Sequence, residues 1–412
     1  MKGLIFALVI IACHSLNVTP IMASDYTLKI FGNANMDDTI DEDDIVYVER
    51  IIDGTNEVTE LADANYDGKV DKDDITHIEL IIRGEEKELT LIDMADRIVT
   101  IPRPIERVVA PSVAIMRMVI QCGGVDKLVG VSAYIDKYAD NMVCVAAYPE
   151  LKELPFVGYE GQENYELMVS LKPDVIFTSS SYADQTQETT CIPVVSISIP
   201  SFYEAGSFEA YRLVSRIMGT EEMVEELISY ADEKFDEVTD ITSQIPDDEK
   251  PGVYFCHAQG ATDITRAVVK YDPLDMAGGV NVADELWNGV GSTVVDISKE
   301  QVIKWNPDII MLHGFGKTHE SFSIESVLED PDLQSVNAIK NRNIYYTKGW
   351  YIGWDPATGV AETFYMAKIF HPDEFEDLNV EEEGNKILER FYGIEDLYTW
   401  ILNNSDYVRW DL

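Results

Sequence analysis

Two stretches of the chain follow one pattern and constrain what it can fold into. Glu166 to Ile176 reads ELMVSLKPDVI, and Glu300 to Ile310 reads EQVIKWNPDII. Each opens on a glutamate, Glu166 or Glu300, and carries apolar residues at helical spacing. Each then reaches a Pro-Asp pair, Pro173-Asp174 or Pro307-Asp308, followed by branched apolar residues. Proline lacks the N–H that a helix needs and clashes with the preceding turn, so each helix stops there, and the branched residues read as a buried strand. Helix, Pro-Asp, strand is how an α/β crossover looks in sequence. Its occurrence twice, with the same acid at the same helical start, predicts two similar α/β lobes.

A chain of 412 residues has room for two or three domains, each with its own core. A hydrophobic content of 46% and a mean hydropathy of −0.09 place it among globular proteins. The formal charge of −44 repels phosphate backbones and anionic lipid, which argues against nucleic acid as a partner. The same charge fits calcium sites, a cation-binding role or a salty habitat. At the N-terminus, Lys2 precedes an apolar run from Leu4 to Ala12 that is too short to span a bilayer. Ala23 and Ser24 offer a cleavage site before Asp25, so residues 1–24 read as a secretory signal. Ile10-Ile11-Ala12-Cys13 also resembles a lipobox, with Cys13 as the lipidated residue. Both readings export the protein. Cys122, Cys144, Cys191 and Cys256 show no CxxC or metal spacing; Cys122 sits in an apolar helical run and reads as core.

Residues 25–89 hold a tandem repeat. NANMDDTIDEDD runs from Asn33 to Asp44, and DANYDGKVDKDD from Asp63 to Asp74. Oxygen-bearing side chains fall at loop positions 1, 3, 5, 9 and 12: Asn33, Asn35, Asp37, Asp41 and Asp44, then Asp63, Asn65, Asp67, Asp71 and Asp74. Calcium needs six to eight oxygen ligands wrapped by a short loop, and this spacing supplies them. An acidic, solvated surface without metal is the plainer alternative. Each loop is followed by a helix ending at a glycine, Gly54 or Gly84, suited to a C-cap. The doubled loop-helix unit resembles a dockerin domain, with Asp rather than Glu at position 12. The resemblance implies a small all-α calcium-binding domain and makes a cohesin module a candidate partner. Packing of the unit on the main body is the competing expectation. The first copy departs from the pattern: Asn33 replaces an acid, and Asp38 stands where the second copy has Gly68. Asp38 is therefore expected in a turn conformation that glycine adopts more cheaply, with weaker metal binding.

Glu85 to Glu88 reads as a charged linker. The main body then opens with a hairpin, a buried strand from Arg107 to Ala110, a helix from Ser112 to Cys122 and the strand VGVSAY. The run IERVVAPSVAIMRMVIQCGGVDKLVGVSAY, continued by LPFVGYEGQENYELMVSLKPDVIFTSS, resembles the iron-chelate and cobalamin family of substrate-binding proteins that serve ABC importers. The segment EEMVEELISYADEKFDEVTDITSQ has apolar positions at Met223, Val224, Leu227, Ile228, Ala231, Phe235 and Val238. As one helix of some two dozen residues it would extend roughly 36 Å. In the resembled class, periplasmic-binding-protein-like class III, one long rigid helix joins two α/β lobes. The expected division is 90–205 for the first lobe, 206–249 for the linking helices, 250–375 for the second lobe and 376–412 for a C-terminal tail helix.

No catalytic signature emerges: there is no Gly-x-Ser-x-Gly elbow, phosphate-binding glycine loop or His-Glu-x-x-His. A metalloenzyme would need His257, His313 and His319 to converge. In α/β sheets ligands bind beyond the carboxyl ends of strands. That rule nominates Tyr134, Tyr159, Ser180, Tyr182, His257, His313 and the Trp350 to Trp354 loop, with Arg266 and Trp287 in connections of the second lobe. Aromatic rings can cover a macrocycle or chelate, and one arginine can neutralise an anionic ferric complex. A bare nickel or iron ion held by His257, His313 and tyrosine side chains is the competing ligand. The resemblance further implies that Glu166 and Glu300, one per lobe, dock on the arginines of a permease, although an acid in a first helical turn is favourable in any case. The expectation is a monomeric, non-enzymatic receptor for an iron chelate or corrinoid, working with an ABC permease and its ATPase. An extracellular scaffold that works through its dockerin-like unit is the alternative.

Overall fold

The computed structural model describes residues 26–198, 208–257, 263–287, 293–313, 323–347 and 355–404. The N-terminal signal, His319, Trp350 and Trp354 lie outside them. After the acidic loops come helices Glu42–Ile52 and Lys72–Arg83. Both start at a reciprocal capping box. Asp41 or Asp71 caps the helix, and Asp44 or Asp74, three residues on, returns a carboxylate to the cap's own N–H.

The acidic unit is not a free appendage. Strands β1 (Glu88–Ile92) and β2 (Ile98–Pro102) form an antiparallel hairpin. Ile30 bridges Leu91, Phe31 N–H donates to Thr90 O at 3.0 Å, and Ile92 N–H donates to Lys29 O at 2.8 Å. The N-terminal segment thus extends the hairpin. The linker expectation at Glu85 to Glu88 is corrected. Glu86 is buried and pairs with Arg103 at 2.7 Å, and the strand already begins at Glu88, so this charge is neutralised inside the seam.

The first lobe is a four-stranded parallel sheet in the order β4-β3-β7-β8. Its strands are β3 (Val108–Ala110), β4 (Leu128–Val131), β7 (Val175–Thr178) and β8 (Val194–Ser196). A short hairpin, β5 (Gly158–Tyr159) and β6 (Gln162–Glu163), sits between β4 and β7 in sequence. Helix Glu209–Met218 leads to the linking helix Glu221–Thr242, two residues shorter than the segment read from sequence. Its stripe Val224, Leu227, Ile228, Ala231, Phe235 and Val238 is buried, each large residue contributing about 1.5–3 kcal/mol, whereas Met223 is exposed.

The second lobe mixes directions. Strands β9 (Gly252–Cys256), β13 (Ile309–His313) and β14 (Ile344–Thr347) are parallel. β11 (Val280–Asn281) runs parallel to the start of β9, and β10 (Arg266–Val268) antiparallel to its end. β12 (Val294–Asp296) closes that edge antiparallel to β10. The tail helix Val380–Tyr392 packs on helix Pro356–Phe370 of the second lobe and also reaches the first-lobe helix Val113–Gln121. It straps both lobes rather than one. Buried Asp355 fastens the strap: its carboxylate accepts from Gln121 Nε2 at 2.9 Å and Tyr392 Oη at 2.7 Å while capping its own helix through Ala357 N–H.

Candidate functional site at the strand carboxyl ends

In the first lobe the strand ends present hydroxyls and phenols. β4 runs into Ser132 and then a short helix, Tyr134–Tyr138, so Tyr134 stands on a helix rather than at a strand tip. The Tyr134 ring lies 5.0 Å from that of Tyr159 and 5.8 Å from that of Tyr138. The β5–β6 turn carries Tyr159 onto the start of helix Ser180–Thr190. There Glu160 Oε1 accepts from Ser179 N–H at 2.9 Å and from the Thr178 hydroxyl at 3.3 Å. A Cβ on Gly161 would come within 3.1 Å of Tyr182 Oη, and its φ of +84° also favours glycine. Tyr134, Tyr159 and Tyr182 therefore gather around one turn, joined by Tyr138 and Glu160, which sequence reasoning missed. Ser180 is exposed at the first position of its helix.

In the second lobe the parallel register aligns the ends of β9, β13 and β14. Leu312 pairs with Cys256 and His313 with Thr347, so His257, His313 and Thr347 follow one another across the sheet. The His257 and His313 rings stack at 5.2 Å. The antiparallel β10 begins where β9 ends, and His257 N–H donates to Arg266 O at 2.8 Å. This insertion brings Arg266 beside the histidines, with its guanidinium 3.7 Å from the exposed Asp296 carboxylate. Trp287 instead packs partly buried against the second lobe's core. Thr347 was readable as the last residue of a strand. Asp355 was not, because its partners are distant in sequence.

Glu166 and Glu300 occupy equivalent places. Each is exposed at the second position of a short helix, Tyr165–Ser170 or Lys299–Trp305. Asn164 and Ser298 cap those helices through Leu167 N–H and Gln301 N–H. Main-chain N–H and Ser298 hydrogen bonds hold the Glu300 carboxyl below its usual value, so it is an anion at neutral pH.

Among the described residues, no three His, Cys, Asp or Glu side chains form a metal-holding group. In the acidic loops, Asp44 and Asp74 are buried and each accepts two main-chain N–H bonds, from Asn35 and Asp41 and from Asn65 and Asp71. Burial pushes the Asp44 carboxyl up to about 6 and raises that of Asp74, a cost that a bound cation would offset. The expectation for Asp38 is corrected: Asp38 is absent from the positive-φ residues, which in these loops are Met36, Tyr66 and Gly68. In this loop the buried Asn33 amide donates to Leu28 O and Asp37 O.

A family model described as periplasmic binding protein matches residues 108–350. The molybdate-binding protein of Haemophilus influenzae is 25% identical over 331 residues, spanning 73% of this chain and 90% of its own length. The petrobactin-binding protein of Bacillus subtilis is 23% identical over 223 residues, 53% of this chain and 64% of its own. A periplasmic solute-binding protein from Veillonella parvula superposes with a TM-score of 0.60 at 23% identity, covering 76% of this chain and 96% of its own, a likeness of fold.

Proposed function

The chain belongs to the periplasmic binding protein family, and on that premise we propose that it is the exported receptor of an ABC importer that captures a metal chelate between its lobes. Such a receptor catalyses no reaction; it binds its cargo and docks on a permease. The observation that carries this reading is the pairing of a tyrosine cluster, Tyr134, Tyr138 and Tyr159, at the strand ends of one lobe with His257, His313 and Arg266 at those of the other. Phenol faces suit a large flat or hydrophobic chelate, and a guanidinium suits its residual negative charge. A ferric siderophore, haem or corrinoid fits that description, and the relative that binds petrobactin supports it. The stacked histidines favour one second reading, a bare nickel or iron ion.

Glu166 and Glu300 are assigned to the permease, one for each half of a two-fold transporter whose ATPase drives import. The loop from Asp63 to Asp74 is assigned to calcium. Asp63, Asn65, Asp67, Asp71 and Asp74 would hold the ion, which would supply the positive charge that balances the carboxylates. A cohesin is the partner that the dockerin resemblance suggests.

The test is thermal melting of the mature protein with ferric siderophores, haem, cobalamin, nickel salts and molybdate, at constant calcium. Cargo at a hundred times its dissociation constant should add about 2.7 kcal/mol. A chelate hit supports the proposal, a nickel hit moves it to the second reading, and silence throughout overturns it in favour of a scaffold.

A further inference from the structure

The two acidic loops share a sequence pattern and differ in what their side chains do. In the second, Asp63 accepts from Asp67 N–H at 3.0 Å and Gly68 N–H at 2.8 Å. Asn65 and Asp67 accept from Asp67 N–H and Lys69 N–H, each at 3.0 Å. The side chains at positions 1, 3 and 5 act there only as oxygen acceptors, and Gly68 supplies the positive φ, +89°, at position 6.

The first loop keeps the acceptors at positions 3 and 5, where Asn35 Oδ1 accepts from Asp37 N–H at 3.1 Å and Asp37 Oδ1 from Thr39 N–H at 2.9 Å. It adds amide donors, above all at position 1. Asn33 is fully buried, and its Nδ2 donates to Leu28 O at 2.8 Å and Asp37 O at 2.6 Å. Its Oδ1 accepts from Asp37 N–H at 3.2 Å. Turning this amide over would set Oδ1 against two carbonyl oxygens, so its partners fix its orientation. Asn35 Nδ2 donates to Asp37 Oδ2 at 2.6 Å, taking up a carboxylate oxygen that a cation would need. Calcium requires six to eight oxygens turned toward it, and amide hydrogens carry the wrong sign of charge for that role. The residues of the first loop do not fit the ion.

We propose that the first loop is a metal-free clasp and that the unit takes a single calcium ion, in the second loop. The clasp closes on Leu28, whose N–H in turn donates to Asp37 O at 2.9 Å. Leu28 begins the segment that extends the β1–β2 hairpin through Ile30 and Leu91. Asn33 therefore fastens the unit to the receptor body whether or not calcium is present. The second loop is the element that responds to the ion. This inference rests on the calcium reading of the loops.

Calcium titration of the full mature chain by calorimetry and equilibrium dialysis tests it. One ion per chain is expected. Asp63→Ala should abolish binding, and the double change Asn33→Asp with Asp38→Gly should raise the count to two. In EDTA, Asn33→Ala should lower the melting temperature by clearly more than Asp63→Ala, because Asn33 is fully buried and tied to Leu28 whereas Asp63 holds only its own loop. Two ions in the natural chain, or an ion retained after Asp63→Ala, overturn the single-site proposal. An EDTA melt for Asn33→Ala no lower than that of Asp63→Ala overturns the clasp. No calcium at all would overturn the calcium reading, and the EDTA melts would still decide the clasp.

Discussion

The two lobes are built from one unit and finished in different ways. In both, a capped helix carrying an exposed glutamate ends at a left-handed residue, Lys172 with φ 48° or Asn306 with φ 49°. A buried proline follows, and then an aspartate whose N–H and carboxylate hold the residue leading into the lobe's first strand. Asp174 N–H donates to Arg107 O at 2.8 Å and its carboxylate accepts Arg107 N–H; Asp308 does the same with Gly252 O and N–H. The sheets then diverge. The second lobe completes its edge with its own antiparallel β10 and β12. The first has strands of only three or four residues and borrows a brace from the hairpin. Buried Asp93 accepts Ser196 N–H of β8 at 2.9 Å, and Arg97, held by Asp93 at 2.7 Å, donates to Val194 O at 2.6 Å. A carboxylate and a guanidinium stand in for a missing neighbour strand. The lesson is that the first lobe leans on the β1–β2 hairpin for its edge, whereas the second supplies its own edge strands.

The largest expected effect breaks this brace. Asp93→Ala takes from Arg97 its buried partner, leaving it the exposed Asp184 at 3.0 Å, and unpairs Ser196 N–H of β8, which should cost about 3–5 kcal/mol. Asp296→Ala removes an exposed carboxylate 3.7 Å from Arg266 at the second lobe's edge and should cost under about 1 kcal/mol. Urea unfolding of both variants measures the difference, and equal costs would abolish the asymmetry. A smaller effect on stability, and a larger one on function, is expected where the lobes are alike. Glu166→Ala and Glu300→Ala should each leave stability nearly unchanged, because both side chains are exposed. Cargo affinity should stay the same and import should fall in both. Normal import by either variant would remove that lobe from the docking assignment.

What the sequence made legible was local. The repeated Pro-Asp units, the loop spacing and the apolar stripe of the linking helix are periodic or turn signals, and each appears where the spacing put it. The misread pieces depend on partners far away in the chain. Glu86 looks like linker until Arg103 arrives beside it. Asn33 looks like a weaker ligand until its amide is seen turned onto Leu28. The brace at Asp93 and the strap at Asp355 join residues about 100 and more than 200 positions apart, and no window of sequence contains them. Among the nominated residues the structure stacks His257 on His313 at the strand ends and sets Tyr134, on a helix after its strand, beside Tyr159. Trp287, added from a connection rather than by the strand-end rule, is partly buried against the second lobe's core, a place that an aromatic residue takes as readily as a ligand-facing one.

The thiols offer the gentlest test, since the reporters are already in the chain. Cys191 is exposed, whereas Cys144 in the first lobe and Cys256 in the second are buried, and burial pushes both thiols up to about 12. A thiol reagent at neutral pH should therefore label the folded chain at Cys191 and leave these two, and the buried Cys122, unmodified. Cys144 and Cys256 become reactive only when their own lobe opens, so each reports local unfolding from within. If the first lobe leans on its brace, brief labelling in mild urea should reach Cys144 before Cys256. Asp93→Ala should widen that interval by advancing Cys144 alone. Simultaneous labelling in both proteins would mean that the strap through Asp355 makes the two lobes one cooperative unit, and that the brace matters to the whole rather than to the first lobe.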